Sequence, residues 1–168
     1  MQNAECRTKA KNYFCSSFCI LPSAFCIPYN PPMPILGHGI DIVETSRVKR
    51  LVDEHGQRFL DRCFTPAEQR YCAASPKRYY EHLAGRFAAK EAVLKVLGTG
   101  WRGGIQWTDI EVLKEPSGQP RIALTGECLR IAGELGISRW HLSISHIETH
   151  ATASAIGLRG DGEGENGP

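Results

Sequence analysis

The sequence predicts an α+β fold in which an antiparallel sheet packs on one long helix, with shorter helices around it. Three observations predict it. Residues 35–44 alternate, with the glycines and Asp41 on one face. Residues 78–97 form a long helical stretch stopped by Gly98. Four further short strand-like runs follow, two of them joined by a tight Pro/Gly turn. Strands placed before and after helices, without a regular βαβ rhythm, favour an antiparallel sheet.

Taken in order, the first strand puts Leu36, His38, Ile40 and Ile42 on one face and Gly37, Gly39, Asp41 and Val43 on the other. Residues 46–64 read as a helix, because Val48, Leu51, Val52, Phe59, Leu60 and Cys63 recur at helical spacing, with Gly56 weakening its middle. Thr65-Pro66-Ala67-Glu68 opens a second helix. Thr65 caps it, Pro66 suits the first helical position, and Glu68 completes a capping box. Ser75-Pro76 breaks the chain ahead of the long helix. Strands are expected at 110–114 and 121–124 around the turn Pro116-Ser117-Gly118-Gln119-Pro120, then a helix at 127–135 ending at Gly136. The last strands are expected at 140–146 and 152–158.

This domain spans residues 35–159 of a 168-residue chain with a net charge of +2, 42% apolar and 23% charged. A domain of that size buries enough surface to fold without disulfides or metals. The charge does not indicate a nucleic-acid partner, and no apolar run reaches the roughly 20 residues that span a bilayer. Residues 160–168, acidic and Gly-rich, have no apolar side chain to bury and are expected to be disordered. Residues 1–34 combine an interrupted apolar stretch with Pro28, Pro31, Pro32 and Pro34 and match no working signal peptide. They are expected to be disordered or not part of the native protein, with Met33 as a candidate start. Four of the seven cysteines fall in that segment, without zinc-site spacing. The odd total and scattered placement point to reduced thiols and a cytoplasmic protein.

Three constellations can carry chemistry. On the long helix, Glu91 and Lys95 are four apart and share a face with Ala84 and Ala88, small residues that leave room for a ligand or another chain. The plain alternative is a surface ion pair. On the first strand Asp41 stands on the same face as the glycines, where backbone or phosphate can approach closely. On a late strand His141 and His146 point to opposite faces, so one can meet a ligand. Two carboxylates from different elements, a lysine and a histidine suit a divalent ion with a diphosphate. Magnesium takes one or two carboxylates together with phosphate oxygens.

The strings Gly39-Ile40-Asp41-Ile42-Val43-Glu44, Gly85-Arg86-Phe87-Ala88-Ala89-Lys90-Glu91-Ala92-Val93-Leu94-Lys95, Gly98-Thr99-Gly100 and Ser143-Ile144-Ser145-His146 occur in an order and spacing that resembles the 4′-phosphopantetheinyl transferases. The single-unit length resembles their holo-acyl-carrier-protein synthase branch. The resemblance covers nearly all of residues 34–158. It implies the fold of that superfamily and the transfer of 4′-phosphopantetheine from coenzyme A to a serine of an apo-acyl carrier protein in fatty acid biosynthesis, with release of adenosine 3′,5′-bisphosphate. By the same resemblance Asp41 and Glu91 would bind Mg²⁺, and Lys95 would hold the diphosphate and steady the leaving phosphate. Arg86 and His146 would contact coenzyme A phosphates, and the turn of Ser117, Gly118 and Pro120 would border the adenine. The acceptor of the serine proton is left open between Glu91 and a metal-bound water. A homotrimer with active sites between subunits is also implied.

Arg47, Arg50, Arg58 and Arg62 step along the first helix as one stripe, which by the same resemblance would dock the acidic carrier protein. Asp53, Glu54 and Asp61 are interspersed, so a solvated face is the plain alternative. His38 stands where an aliphatic residue is usual in the family and is expected to be packed rather than a ligand. Gly37-His38-Gly39-Ile40-Asp41 also resembles the opening of an isoprenoid cyclodiphosphate synthase, but Val43 stands where that family has a zinc-binding histidine. A nucleic-acid reading of the arginine stripe, with Trp101, Arg102 and Trp107, leaves Asp41, Glu91 and Lys95 unexplained.

Overall fold

A computed structural model describes residues 35–100 and 103–160. The expectations for 1–34 and 160–168, apart from Gly160, and those for Trp101 and Arg102, lie outside the described residues. The elements run β1 (Ile35–Glu44), α1 (Thr45–Cys63), α2 (Pro66–Ala73), α3 (Tyr79–Leu97), β2 (Ile110–Lys114), β3 (Pro120–Leu124), α4 (Gly126–Glu134), β4 (Ile137–His146) and β5 (His150–Arg159). The fold is α+β, as the sequence predicts. The single sheet of that expectation is in fact two: an antiparallel sheet ordered β1-β5-β4 and a separate hairpin of β2 and β3. The last two strands are longer than their apolar cores suggest because they pair almost end to end, from Ile137 opposite Arg159 to His146 opposite Ala151.

Helix α3 is the centre of the domain. Leu83, Ala84, Ala88, Ala89, Ala92, Val93 and Leu94 are fully buried, and so are positions on several sides of the helix rather than one stripe. The helix lies against β1 and β5, and Gly39 makes the approach possible. A Cβ at Gly39 would lie 2.1 Å from the Ala92 carbonyl oxygen, far inside contact distance. The glycine face of β1 therefore receives a helix backbone. Ala84 and Ala88 are core residues, and the open lane expected beside Glu91 is filled there by packing.

Two buried charges lock α2 and α3 together. The ammonium of Lys90 donates to Glu68 Oε2 (2.8 Å) and to the carbonyls of Trp107 (3.0 Å) and Ile110 (2.6 Å), with both side chains at 0% exposure. Glu68 also accepts from the backbone of Thr65 at 2.8 Å and of Val112 at 3.0 Å. The capping box read from the sequence is present, but its carboxylate serves the core as well.

The outer face of β1 departs from expectation. Ile40 and Ile42 are 59% and 68% exposed, and Ile35 and Ile147 are exposed as well. His38 is likewise exposed rather than packed, and its Nε2 lies 2.9 Å from Ser154 Oγ on the neighbouring strand. Sequence alternation distinguishes two faces but does not say which one a helix will cover. The glycines decide, because only their side admits α3.

Helix α1 is kinked. Gly56, at φ 53° and ψ −135°, takes a conformation open to glycine and costly to other residues. Arg47 and Arg50 precede the kink while Arg58 and Arg62 follow it, so the single stripe of the sequence reading becomes two exposed pairs. Burial pushes the thiols of Cys63 and Cys72 up to about 11 and that of Cys128 to about 12. All three are free cysteines in the core. Among the described residues no helix is long and apolar enough to cross a membrane.

Candidate active site

The expected residues gather into two groups on different sides of α3. Residues four apart on a helix are rotated by about 40°, so Glu91 and Lys95 share a face; residues five apart are rotated by about 140°, so Arg86 and Glu91 do not.

The first group joins β1 and α3. Lys95 Nζ donates to Asp41 Oδ1 at 2.9 Å and to the Ile40 carbonyl at 2.6 Å. Asp41 is held from the strand side by Thr152, whose hydroxyl donates to the Asp41 carbonyl at 2.8 Å. Burial raises the pKa of Glu91 above the ordinary carboxylate value. The negative charge of Asp41 raises it further, while Lys95 and Arg47 oppose the shift. Two carboxylates that repel each other in this way, flanked by cations, suit a divalent ion completed by phosphate oxygens. Among the described residues no group of three or more His, Cys, Asp or Glu side chains could hold a metal without such help. Arg47, expected only as a docking residue, is thus electrostatically part of this group.

The second group lines a pocket of about 170 Å³ containing Arg86, His146, Gly118 and Pro120, together with Tyr71, His82 and Lys114, which the sequence reading missed. Ser117 is not among its lining residues. It sits at the exposed tip of the turn, where its Oγ accepts the Gln119 amide at 3.4 Å. Arg86 is only 7% exposed. Its guanidinium lies over the Tyr71 ring at 3.9 Å and reaches the His82 carbonyl at 3.4 Å, while Nε is buried without a partner. No carboxylate lies within ion-pair distance of it among the described residues. A buried cation without a counter-charge is costly, and a bound anion would supply the charge. The His82 and His146 rings meet edge to face at 5.4 Å. Burial first, then His146 and Arg86, hold His82 below the ordinary imidazole value. One signal was available for His82: it lies four residues before Arg86, on the same lane of α3. His141, by contrast, faces away from the core and is exposed.

Residues 37–155 match the family model of the 4′-phosphopantetheinyl transferase superfamily. The chain belongs to that superfamily. This transferase is 51% identical over 122 residues to the holo-[acyl-carrier-protein] synthase of Koribacter versatilis, covering 73% of this chain and 97% of that protein. Among solved structures, the holo-[acyl-carrier-protein] synthase of Neisseria meningitidis aligns with a TM-score of 0.66 at 38% identity, covering 74% of this chain and 98% of that one. The Helicobacter pylori enzyme, solved in complex with coenzyme A, aligns with a TM-score of 0.63 at 32% identity, covering 71% and 98%. The superfamily fold expected from the motifs of β1, α3 and β4 is thereby the fold of this transferase.

Proposed function

We propose that this transferase moves 4′-phosphopantetheine from coenzyme A to a serine hydroxyl of an apo-acyl carrier protein, giving the holo carrier protein and adenosine 3′,5′-bisphosphate. One structural observation carries the reading: Arg86, buried and without a carboxylate partner among the described residues, lines an anion-ready pocket in a chain similar to a protein solved in complex with coenzyme A.

The reaction is a displacement at phosphorus. The serine oxygen forms a bond to the phosphorus that carries the pantetheine arm, and the bridging bond to adenosine bisphosphate breaks. Catalysis of this kind asks for positioning and charge neutralisation more than covalent chemistry. Asp41 and Glu91 would hold Mg²⁺, whose charge would offset that of the diphosphate. Lys95 exchanges its Asp41 contact for the phosphate oxygens and meets the charge that builds on the leaving side. Glu91 or a water molecule would take the serine proton. Arg86 and His146 bind phosphate groups of coenzyme A, with Gly118 and Pro120 beside the adenine and Ser117 at the rim of the turn.

The active protein is a homotrimer in which the Arg86 pocket of one copy faces the Asp41, Glu91 and Lys95 group of another. Two features support this: the two groups project from different sides of α3, and β1 presents an exposed apolar face. Arg47, Arg50, Arg58 and Arg62 receive the acidic carrier protein. His55, Phe59, Arg58 and Arg62 border a groove suited to an acidic and apolar surface. The partner is the carrier protein of fatty acid synthesis, and reduced buried thiols fit residence in the cytoplasm. The deciding experiment is the intact mass of an apo-acyl carrier protein incubated with this chain, coenzyme A and Mg²⁺. A gain of one phosphopantetheinyl group, absent when Mg²⁺ is chelated, is expected. An unchanged mass with a carrier protein that another transferase modifies would refute the reading.

A further inference from the structure

His146 closes strand β4 on a wall between two hollows. One is the pocket lined by Arg86, His82 and Lys114. The other is a shallow apolar recess bordered by Ile42, Ile147 and Ala151. A ring at the end of a strand can turn toward either, and only one direction serves an anionic substrate. Glu81, in the first turn of α3, lies with Oε2 3.0 Å from His146 Nδ1, and both side chains are largely buried. Its sequence neighbour His82 abuts the same ring edge to face. One turn of α3 therefore grips the imidazole by a nitrogen and by its edge.

We infer that Glu81 is a positioning residue for substrate binding: by accepting a hydrogen bond from Nδ1–H it fixes the plane of His146, so that Nε2–H of the imidazolium donates to the phosphate in the Arg86 pocket. This rests on the reading of His146 as a coenzyme A contact. The placement of the carboxylate matters. Among the described residues no acid lines the Arg86 pocket, Glu81 included; Glu81 borders a different cavity, with Glu44, Lys49, Lys77, Tyr80 and Glu148. Its charge thus stands behind the imidazole and does not face the phosphate. A histidine whose second nitrogen is held by a carboxylate presents the first in one orientation.

The test is a kinetic cycle on the full chain, with coenzyme A and an apo-acyl carrier protein varied in turn, for Glu81→Ala, Glu81→Gln, His146→Ala and the double alanine variant. Glu81→Ala is expected to raise the KM for coenzyme A about fivefold, the equivalent of ~1 kcal/mol, and to leave the KM for the carrier protein unchanged. Glu81→Gln, whose amide oxygen still accepts from Nδ1, should retain most of the affinity. The double variant should be no worse than His146→Ala alone, because Glu81 acts through that ring. Additive losses beside a clear His146→Ala effect would overturn the inference while leaving the phosphate role of His146 standing. Equal rises in both KM values, or a glutamine variant as poor as alanine, would overturn it too. An unchanged KM for coenzyme A in His146→Ala would remove the role of His146 and the inference with it.

Discussion

Replacing Lys90 with methionine should bring this domain close to unfolding, and the structure indicates by how much. The methionine fills similar volume, so the cost is electrical rather than steric. Three acceptors lose their donor: Glu68 Oε2 and the carbonyls of Trp107 and Ile110. Removing one partner of a buried ion pair costs about 3–5 kcal/mol, since the remaining charge stays buried. Each unpaired carbonyl adds up to about 1–3 kcal/mol where water cannot reach it. A single domain holds only about 5–15 kcal/mol in total. A loss of about 5 kcal/mol should lower the urea midpoint by roughly 2–3 M, at the slope typical of small domains. Equilibrium urea unfolding followed by circular dichroism reads this directly. A second variant isolates the cause. Glu68→Gln added to Lys90→Met removes the stranded charge, so the double variant should be more stable than Lys90→Met by about 2–3 kcal/mol, although each change alone destabilises. Glu68→Gln alone is costly because all three partners of the carboxylate are donors, the Lys90 ammonium and the amides of Thr65 and Val112. Its new amide group must face one of them. A double variant no more stable than Lys90→Met would refute the claim that a buried charge, rather than lost packing, sets the cost.

Four further outcomes are expected. Asp41→Ala and Glu91→Ala should each reduce transfer by at least a hundredfold while leaving the thermal transition near that of the parent; turnover close to the parent at limiting Mg²⁺ would contradict their joint role. Lys95→Ala should lower kcat more than it raises the KM for coenzyme A, because its charge is needed most as the bridging bond breaks; a pure KM effect in steady-state assays would make it a ground-state ligand. Reversing the charge of Arg50 should raise the KM for the carrier protein several-fold at low salt and less at high salt, as screened encounter requires, and salt-independent losses would count against docking there. Ile40→Glu should turn the proposed trimer into monomers in light scattering and abolish transfer with the fold retained, since a charge on the apolar face of β1 cannot be buried between copies; an intact, active trimer would move the interface elsewhere.

The fold was legible where local chemistry is decisive. The capping box at Thr65 and Glu68, the stop at Gly98 and the Pro/Gly turn at 116–120 each act over a few residues and appear where the sequence places them. Long-range choices were not legible. Alternation along β1 separates Ile40 and Ile42 from Gly39 and Asp41, but which face is covered depends on the approach of α3, which alternation alone does not encode. The small residue at Gly39 reads as room for backbone or phosphate, and what it admits is a helix backbone. Gly56 weakens the helix by its sequence alone, yet only its positive φ shows that the arginine stripe is broken.

The site was legible to the degree that its residues share an element or a motif. Glu91 and Lys95 are one helical turn apart, and Asp41 lies in a string whose family resemblance supplies the partner. Lys90 stands in the same motif but looks like any helix lysine. Its burial depends on Glu68, 22 residues earlier, and on two carbonyls about 20 residues later, so sequence spacing has no way to mark it. This hidden pair bears on the visible one. Lys90 and Glu91 are adjacent on α3, about 100° apart around its axis. With Lys90 pinned at three points in the core, the helix has little freedom to rotate, and Glu91 is thereby aimed at the edge of β1 where Asp41 stands. The buried ion pair therefore does for the carboxylates what Glu81 does for His146: a charge removed from the chemistry sets the direction of a charge within it.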